Sequence, residues 1–403
     1  MNALALLLLI LVALASAPHS PRVRTGADVL IERRLSLLEG KRVGLITNRT
    51  GRLASGEMLL DALVRRGISV TALFGPEHGI RGTSGAGEAV ADSVDPATGI
   101  PVFSLYGRVR KPTPAMIDRV DVLVYDIQDV GARFYTYLST MGLCMEAAAE
   151  RGLPFIVLDR PDPLGGDIVD GPVLPDSLRS FVGSFPIPVV YGLTPGELAA
   201  MANGEGWLSR GVRAELTVVR MEGWTRHMRW GEAGLSWVPP SPNIRRPETQ
   251  WIYPATCYLE ATNVSEGRGT GDPFFTIGAP FVPAGELSRL LRAAGLRGIT
   301  DTIFTPHESK YMGVSCNGVH LSVVPGDSLR PVRAGVEILS ALVRCCGDSI
   351  TINPRGLSRL LGDPYALDLI RQGKTAGEIA SRWEEDVRLF RKRASGYMIY
   401  PER

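Results

Sequence analysis

Five apolar runs of strand length punctuate the first half of the chain: RVGLITN (42–48), SVTALFG (69–75), PVFSLYG (101–107), VDVLVYDIQ (120–128) and PFIVLD (154–159). They are continuous rather than alternating, the pattern of strands buried on both faces. Helical periodicity fills several of the gaps. ADVLIERRLSLLEG precedes the first run, GEMLLDALVRRG the second and STMGLCMEAAAERG the fifth, each closing on a glycine as helix C-termini often do. Strand and helix in alternation imply a doubly wound parallel sheet of the α/β class. The connection 76–100 carries no helical period, and its length marks it as a functional loop.

At 403 residues the chain exceeds one ordinary core, so two domains are expected. The pattern changes near residue 180. LTPGELAAMANG (193–204) reads as a helix with Thr194 as N-cap, Pro195 at its first position and Glu197 completing a capping box. Proline-rich GLSWVPPSPN (234–243) suits irregular loops. A strand at 318–325 and helices at 331–347 and 375–393 follow. Residues 25–180 are therefore expected to form the sheet domain, and 181–403 a second, smaller α+β domain.

The net charge of +2 comes from finely mixed acidic and basic residues. The one basic run, RLFRKR (388–393), reads as the solvated face of a terminal helix, which argues against nucleic-acid binding. Residues 1–17 read as a signal peptide: the apolar stretch Ala3–Ala17 ends in Ala15, Ser16, Ala17, is short for a membrane span, and implies export to the periplasm or exterior. No other segment is long and apolar enough to span a membrane. The five cysteines are odd in number and scattered, so buried free thiols are expected. No CxxC or HExxH is present, and neither a metal nor a cofactor is expected.

Open parallel sheets bind ligands beyond the carboxyl ends of their strands. Polar residues close or follow four of these runs: Asn48, Arg49 and Thr50; Glu77 and His78; Asp126, Gln128, Asp129, then Arg133, Tyr135 and Tyr137; and Asp159 with Arg160. In LFGPEHGIRG, Pro76 stiffens a turn and two glycines supply angles other residues avoid, so that Glu77 and His78 are displayed rigidly. Duller roles exist: Asp159 bracing a turn, and Asp126 buried against Arg133. No GxGxxG, P-loop, GxSxG or SxxK is found. Carboxylates with tyrosines, arginines and tryptophans suit a carbohydrate.

LITNRTG, FGPEHGIRG, DVLVYDIQDVGARFYTY, VLDRPDPLGG, SFPIPVVYGLTPGELAAM and LEATNVSEGRGTGDPF, with KYMGVSCNG and the terminal YMIYP, together resemble the exo-β-N-acetylmuramidase family. It is a glycoside hydrolase family formerly catalogued as a domain of unknown function. The likeness spans about residues 25 to 401. It implies a Rossmann-like N-terminal domain, a smaller C-terminal domain and an active site between them. The implied activity removes N-acetylmuramic acid from the non-reducing end of peptidoglycan fragments, in cell-wall recycling. The family's catalytic glutamate falls on Glu77, with Asp126 and Glu266 as candidates for a second catalytic group. Candidate substrate ligands are Asn48, His78, Arg81, Asp129, Arg133, Tyr135, Tyr137, Asn263 and Arg268. Among them Arg81, Arg133 and Arg268 are candidates to select the lactyl carboxylate that distinguishes N-acetylmuramic acid. The loop NVSEGRGT is expected to complete the site with Glu266 and Arg268. The chain departs from the family pattern at Ala261, usually glycine, and at Gly271, usually threonine. The alternative is a non-catalytic cell-wall sugar-binding protein using the same cleft.

Overall fold

The computed structural model describes residues 23–80, 92–322 and 330–403; the apolar stretch 3–17, and Arg81 with the rest of 81–91 from the expected loop 76–100, lie outside them. Seven strands form the larger sheet: β1 (Val43–Thr47), β2 (Val70–Gly75), β3 (Ser93–Val94), β4 (Pro101–Ser104), β5 (Val122–Asp126), β6 (Pro154–Leu158) and β7 (Glu215–Val219). Their order is β3-β4-β2-β1-β5-β6-β7, all parallel except the short β3 against β4. Without β3 this is the strand order of a Rossmann fold, and the order reverses between β1 and β5.

The five expected strands are β1, β2, β4, β5 and β6. β7 was expected to belong to the second domain, yet it pairs with β6 from Pro154↔Glu215 to Leu158↔Val219. The sheet therefore runs past the expected boundary at 180.

Helices α1 (Gly26–Arg33), α2 (Leu59–Arg65), α3 (Pro114–Ile117), α4 (Tyr137–Arg151) and α5 (Pro195–Gly204) accompany the sheet. Local chemistry explains their ends. Thr25 and Thr194 cap α1 and α5 in reciprocal boxes with Asp28 and Glu197. Gly152, at φ 62°, terminates α4 in the left-handed region. Because the strands are parallel, their side chains feed two apolar layers. Val43, Leu45, Leu73, Val124 and Ile156 pack with Leu30 of α1 and Leu60 of α2 on one face. Ile46, Phe74, Tyr125 and Phe155 pack with Met141 of α4 and Leu198 of α5 on the other.

The second layer does not stop there. It continues without a break into the smaller part of the molecule, through Tyr258, Phe274, Val336, Leu342 and Phe390. That part holds an antiparallel sheet of β8 (Thr276–Ala279), β9 (Ile299–Phe304) and β10 (Cys316–Leu321) in the order β8-β10-β9. Around it lie α6 (Thr249–Thr256), α7 (Ala284–Ala293), α8 (Pro331–Cys346), α9 (Pro354–Leu361), α10 (Ala366–Arg371), α11 (Ala376–Ser381) and α12 (Glu384–Ala394). The helix expected over 375–393 is thus two helices, turned at Arg382 and the buried Trp383.

The C-terminal tail returns to the first sheet. The Tyr400 hydroxyl donates to Asp159 Oδ2 at 2.6 Å, and Ile399 N donates to Glu197 Oε1 at 2.9 Å. All five cysteines are free thiols. Among the described residues no helix is long and apolar enough to cross a membrane.

Candidate active site

Glu77 sits one turn beyond β2. The turn is closed by Gly79 N donating to the Pro76 carbonyl at 3.0 Å. His78 and Gly79 both occupy the left-handed region, at φ 70° and 72°. For a buried non-glycine residue that geometry costs on the order of 1–3 kcal/mol and persists only where surrounding contacts enforce it. The result is a half-buried carboxylate whose direction is fixed by its backbone.

Residues from neighbouring strand ends converge on it. Thr136 Oγ1, in the β5–α4 connection, donates to Glu77 Oε2 at 2.9 Å. Tyr106, just past β4, engages the same carboxylate. Burial, then the charge of Glu77 and its hydrogen bond, push that phenol up to about 12. Tyr135 and Tyr137 stand edge to face, their ring centroids 4.7 Å apart. Their phenols are raised chiefly by burial and further by the charge of Glu77. Tyr137 donates to the Pro240 carbonyl at 2.6 Å, tying this wall to the 234–243 loop. Glu260 contributes from the smaller part of the molecule. It is exposed, and its charge also reaches Tyr106. Glu77, Tyr106 and Thr136 therefore meet directly, Tyr135 and Tyr137 stand within reach of the Glu77 charge, and Glu260 is linked to this group only through its charge on Tyr106.

Several expected site residues serve the scaffold instead. Asp126 is inaccessible, and both its oxygens are taken by Arg160, at 2.7 Å from Nε and 3.0 Å from Nη2. Its partner is not the expected Arg133, and the pair occupies the edge where the strand order reverses. Arg133 is itself buried and donates to the carbonyls of Pro172, Ile187 and Leu360, each at 2.9 Å. Burial lowers its guanidinium to about 10. With its donors aimed at the backbone, it does not present a fork to a carboxylate.

Asp129 is buried too, and its Oδ2 accepts from the Tyr191 hydroxyl and from Gly131 N. Burial pushes its carboxyl up to about 6, against the hydrogen bonds from Tyr191 and the backbone. Asp162 stands near enough for the charge of Asp129 to add to its own upward shift by burial. Asn48 turns its Oδ1 to Thr50 N at 2.9 Å and Thr50 Oγ1 at 2.6 Å, shaping the exit from β1. Asp159 accepts from Thr194 Oγ1 and Gly196 N at 2.7 Å each, the turn-bracing role.

The glycine-flanked loop after α6 also differs from expectation. Asn263 spends its amide on the backbone, donating to the Ser349 carbonyl at 2.9 Å and accepting from Thr351 N at 2.8 Å. Glu266 is buried between Arg268 Nε at 3.1 Å and Lys310 Nζ at 3.0 Å, so both oxygens are committed. Arg268 also bonds Glu260 Oε1 at 2.6 Å and lies over Phe274. The loop thus presents Glu260 through a chain of ion pairs, and Glu266 is the buried end of that chain. Glu260 was visible in the sequence as the first residue of Glu260-Ala261-Thr262-Asn263. Tyr106 was hidden as the penultimate residue of an apolar run. Among the described residues no cluster of three or more His, Cys, Asp or Glu could hold a metal ion.

A partly exposed carboxylate held by hydroxyl groups, with a second carboxylate and aromatic rings nearby, is equipped for proton transfer at a glycosidic oxygen. Comparison with known proteins agrees. Residues 43–248 match the family model described as exo-beta-N-acetylmuramidase NamZ, N-terminal, and residues 251–400 match its C-terminal counterpart. The chain is 43% identical over 384 residues to the peptidoglycan beta-N-acetylmuramidase NamZ of Bacillus subtilis, covering 94% of this chain and 92% of that one. Two crystal structures of DUF1343 family proteins from Bacteroides fragilis share the fold. One has a TM-score of 0.87 at 38% identity and the other 0.80 at 34%, each covering 94% of this chain and 99% of the other. The chain belongs to the exo-β-N-acetylmuramidase NamZ family.

Proposed function

We propose that this protein is an exo-acting glycosidase that removes terminal, non-reducing β-linked N-acetylmuramic acid from peptidoglycan fragments, with Glu77 as general acid. The observation that carries the assignment is the placement of Glu77. It is a half-buried carboxylate in a backbone-enforced turn, held by Thr136 at 2.9 Å and within electrostatic reach of three tyrosines. Protonated Glu77 donates its proton to the glycosidic oxygen as the bond to the anomeric carbon breaks; that carbon gains a hydroxyl from water, whose other proton makes good the one Glu77 gave up. Glu260 is the second carboxylate of this reading. One oxygen is anchored by Arg268 at 2.6 Å, and the role asked of the group is to stabilise the positive charge that develops on the sugar. Such a proton donor contributes roughly 10²–10⁴-fold in rate. Glu77→Gln should therefore lose that factor in release of N-acetylmuramic acid from a muramic-acid-terminated disaccharide. Wild-type turnover in that variant would remove Glu77 from the chemistry.

A further inference from the structure

N-acetylmuramic acid, the sugar of the proposed reaction, differs from N-acetylglucosamine by one group, a lactyl ether ending in a carboxylate. The need for a cation at this site rests on that proposed activity. Selecting a carboxylate calls for a cation with free N–H groups, best a guanidinium fork. Most cations near the site are already committed. Arg133 is spent on three carbonyls, Arg160 on Asp126, and Arg268 on Glu260 and Glu266. Lys310 is bonded to Glu266 and to the carbonyls of Leu259 and Val264, and Lys111 to Glu146 and Glu150.

Arg110 is different. It lies exposed in the loop after β4, and among the described residues no carboxylate pairs with it. Its guanidinium carbon stands over the ring of Phe181, 4.4 Å from the centroid. Phe181 in turn lies 6.1 Å from the ring of Tyr106, the residue that engages Glu77. The charge of Arg110 reaches that phenol and opposes the upward pull of burial and of Glu77. Guanidinium, aromatic ring, phenol and acid thus follow one another across a single surface.

We infer that Arg110, held over Phe181 beside Tyr106, is the cation that binds the lactyl carboxylate and so sets the preference for N-acetylmuramic acid. Stacking on an aromatic face restrains the guanidinium and leaves its in-plane N–H groups available, the arrangement that suits two-point contact with a carboxylate. The smooth, half-buried ring beneath it excludes water from one side of that contact.

The test compares two probes by calorimetry, N-acetylmuramic acid and the methyl ester of its lactyl carboxyl group. Arg110→Met keeps an apolar stem over Phe181 but removes the charge. It should weaken binding of the acid about 10- to 100-fold, with little change for the ester. Arg110→Lys, which keeps the charge without the fork, should fall between the wild type and Arg110→Met. In hydrolysis of a chromogenic muramic glycoside, the loss should fall on KM rather than kcat. Undiminished affinity of Arg110→Met for the acid, or equal losses for acid and ester, overturns the assignment. The two readings fail separately. Wild-type protein that favours the acid through Arg110 yet releases no sugar supports this inference and refutes the proposed activity.

Discussion

Replacing Asp126 with Asn should separate the carboxylate that holds the sheet edge together from the one that performs chemistry. Asp126 is inaccessible and the Arg160 side chain is 5% exposed, with two contacts of 2.7 and 3.0 Å between them. Asparagine keeps an acceptor but removes the charge, so the guanidinium stays buried with only the Arg52 carbonyl, at 3.0 Å, as a further partner. Neutralising one member of a buried pair costs about 3–5 kcal/mol. At roughly 2 °C per kcal/mol in a chain of this size, Tm falls by about 6–10 °C. The retained bond to Arg52 places the expected value toward the lower end. Turnover per folded molecule should match the wild type, because neither carboxylate oxygen of Asp126 is available to a sugar. Glu77→Gln is the mirror image. Glutamine can still accept from Thr136 and the site is partly open, so stability should change by less than about 1 kcal/mol. The barrier to glycoside cleavage should meanwhile rise by about 3–5 kcal/mol. Urea unfolding and initial rates on the same preparations read both quantities. An Asp126→Asn protein of wild-type stability that has lost most of its turnover would refute this division of roles.

Arg133→Met should leave the carbonyls of Pro172, Ile187 and Leu360 without their donor and lower stability by about 3 kcal/mol or more, read as the urea midpoint. A midpoint equal to the wild type would mean that these bonds contribute nothing net. Asp162→Asn should flatten the pH dependence of stability. Burial, aided by the charge of Asp129, holds the Asp162 carboxyl well above its ordinary 3.8, so the folded chain keeps a proton that the unfolded chain has released. That contribution to stability is complete below about pH 4 and is lost as pH rises toward the folded value. Urea unfolding at pH 4 and pH 8 should find the variant close to wild type at the first and more stable at the second, whereas parallel profiles would contradict it.

The sheet was readable because strands covered on both faces leave unbroken apolar runs, and five of them stood out. β7 escaped notice because it is an edge strand with Glu215 and Thr217 exposed, so nothing in its composition ties it to β6. The break between α11 and α12 escaped for the opposite reason. Helical periodicity continues through Trp383, and only the packing shows that this residue turns inward at a corner. Glu77 was legible because proline and glycine spell out a stiff turn. The roles of Glu266, Arg268 and Arg133 were not, since sequence places charges near one another without saying which satisfy each other. Three carbonyls drawn from Pro172, Ile187 and Leu360 meet around Arg133 only after the chain has folded. Arg110 lacks any motif of its own, and what distinguishes it is its stack on Phe181 beside Tyr106.

The apolar layer that passes unbroken from Ile46 and Phe74 to Leu342 and Phe390 bears on how such a gene can be inherited. Two family segments meet near residue 250, which would suggest modules that recombination could shuffle. The shared layer forbids it. Either segment transplanted alone would carry half of an interior as its outer surface, an invitation to aggregation rather than a portable activity. The same continuity denies the enzyme a pair of jaws. With no lubricated seam between two bodies, the turn that carries Glu77 and the loop that carries Glu260 stand on one interior, which holds Phe74 beneath the first and Leu259 and Ala261 beneath the second.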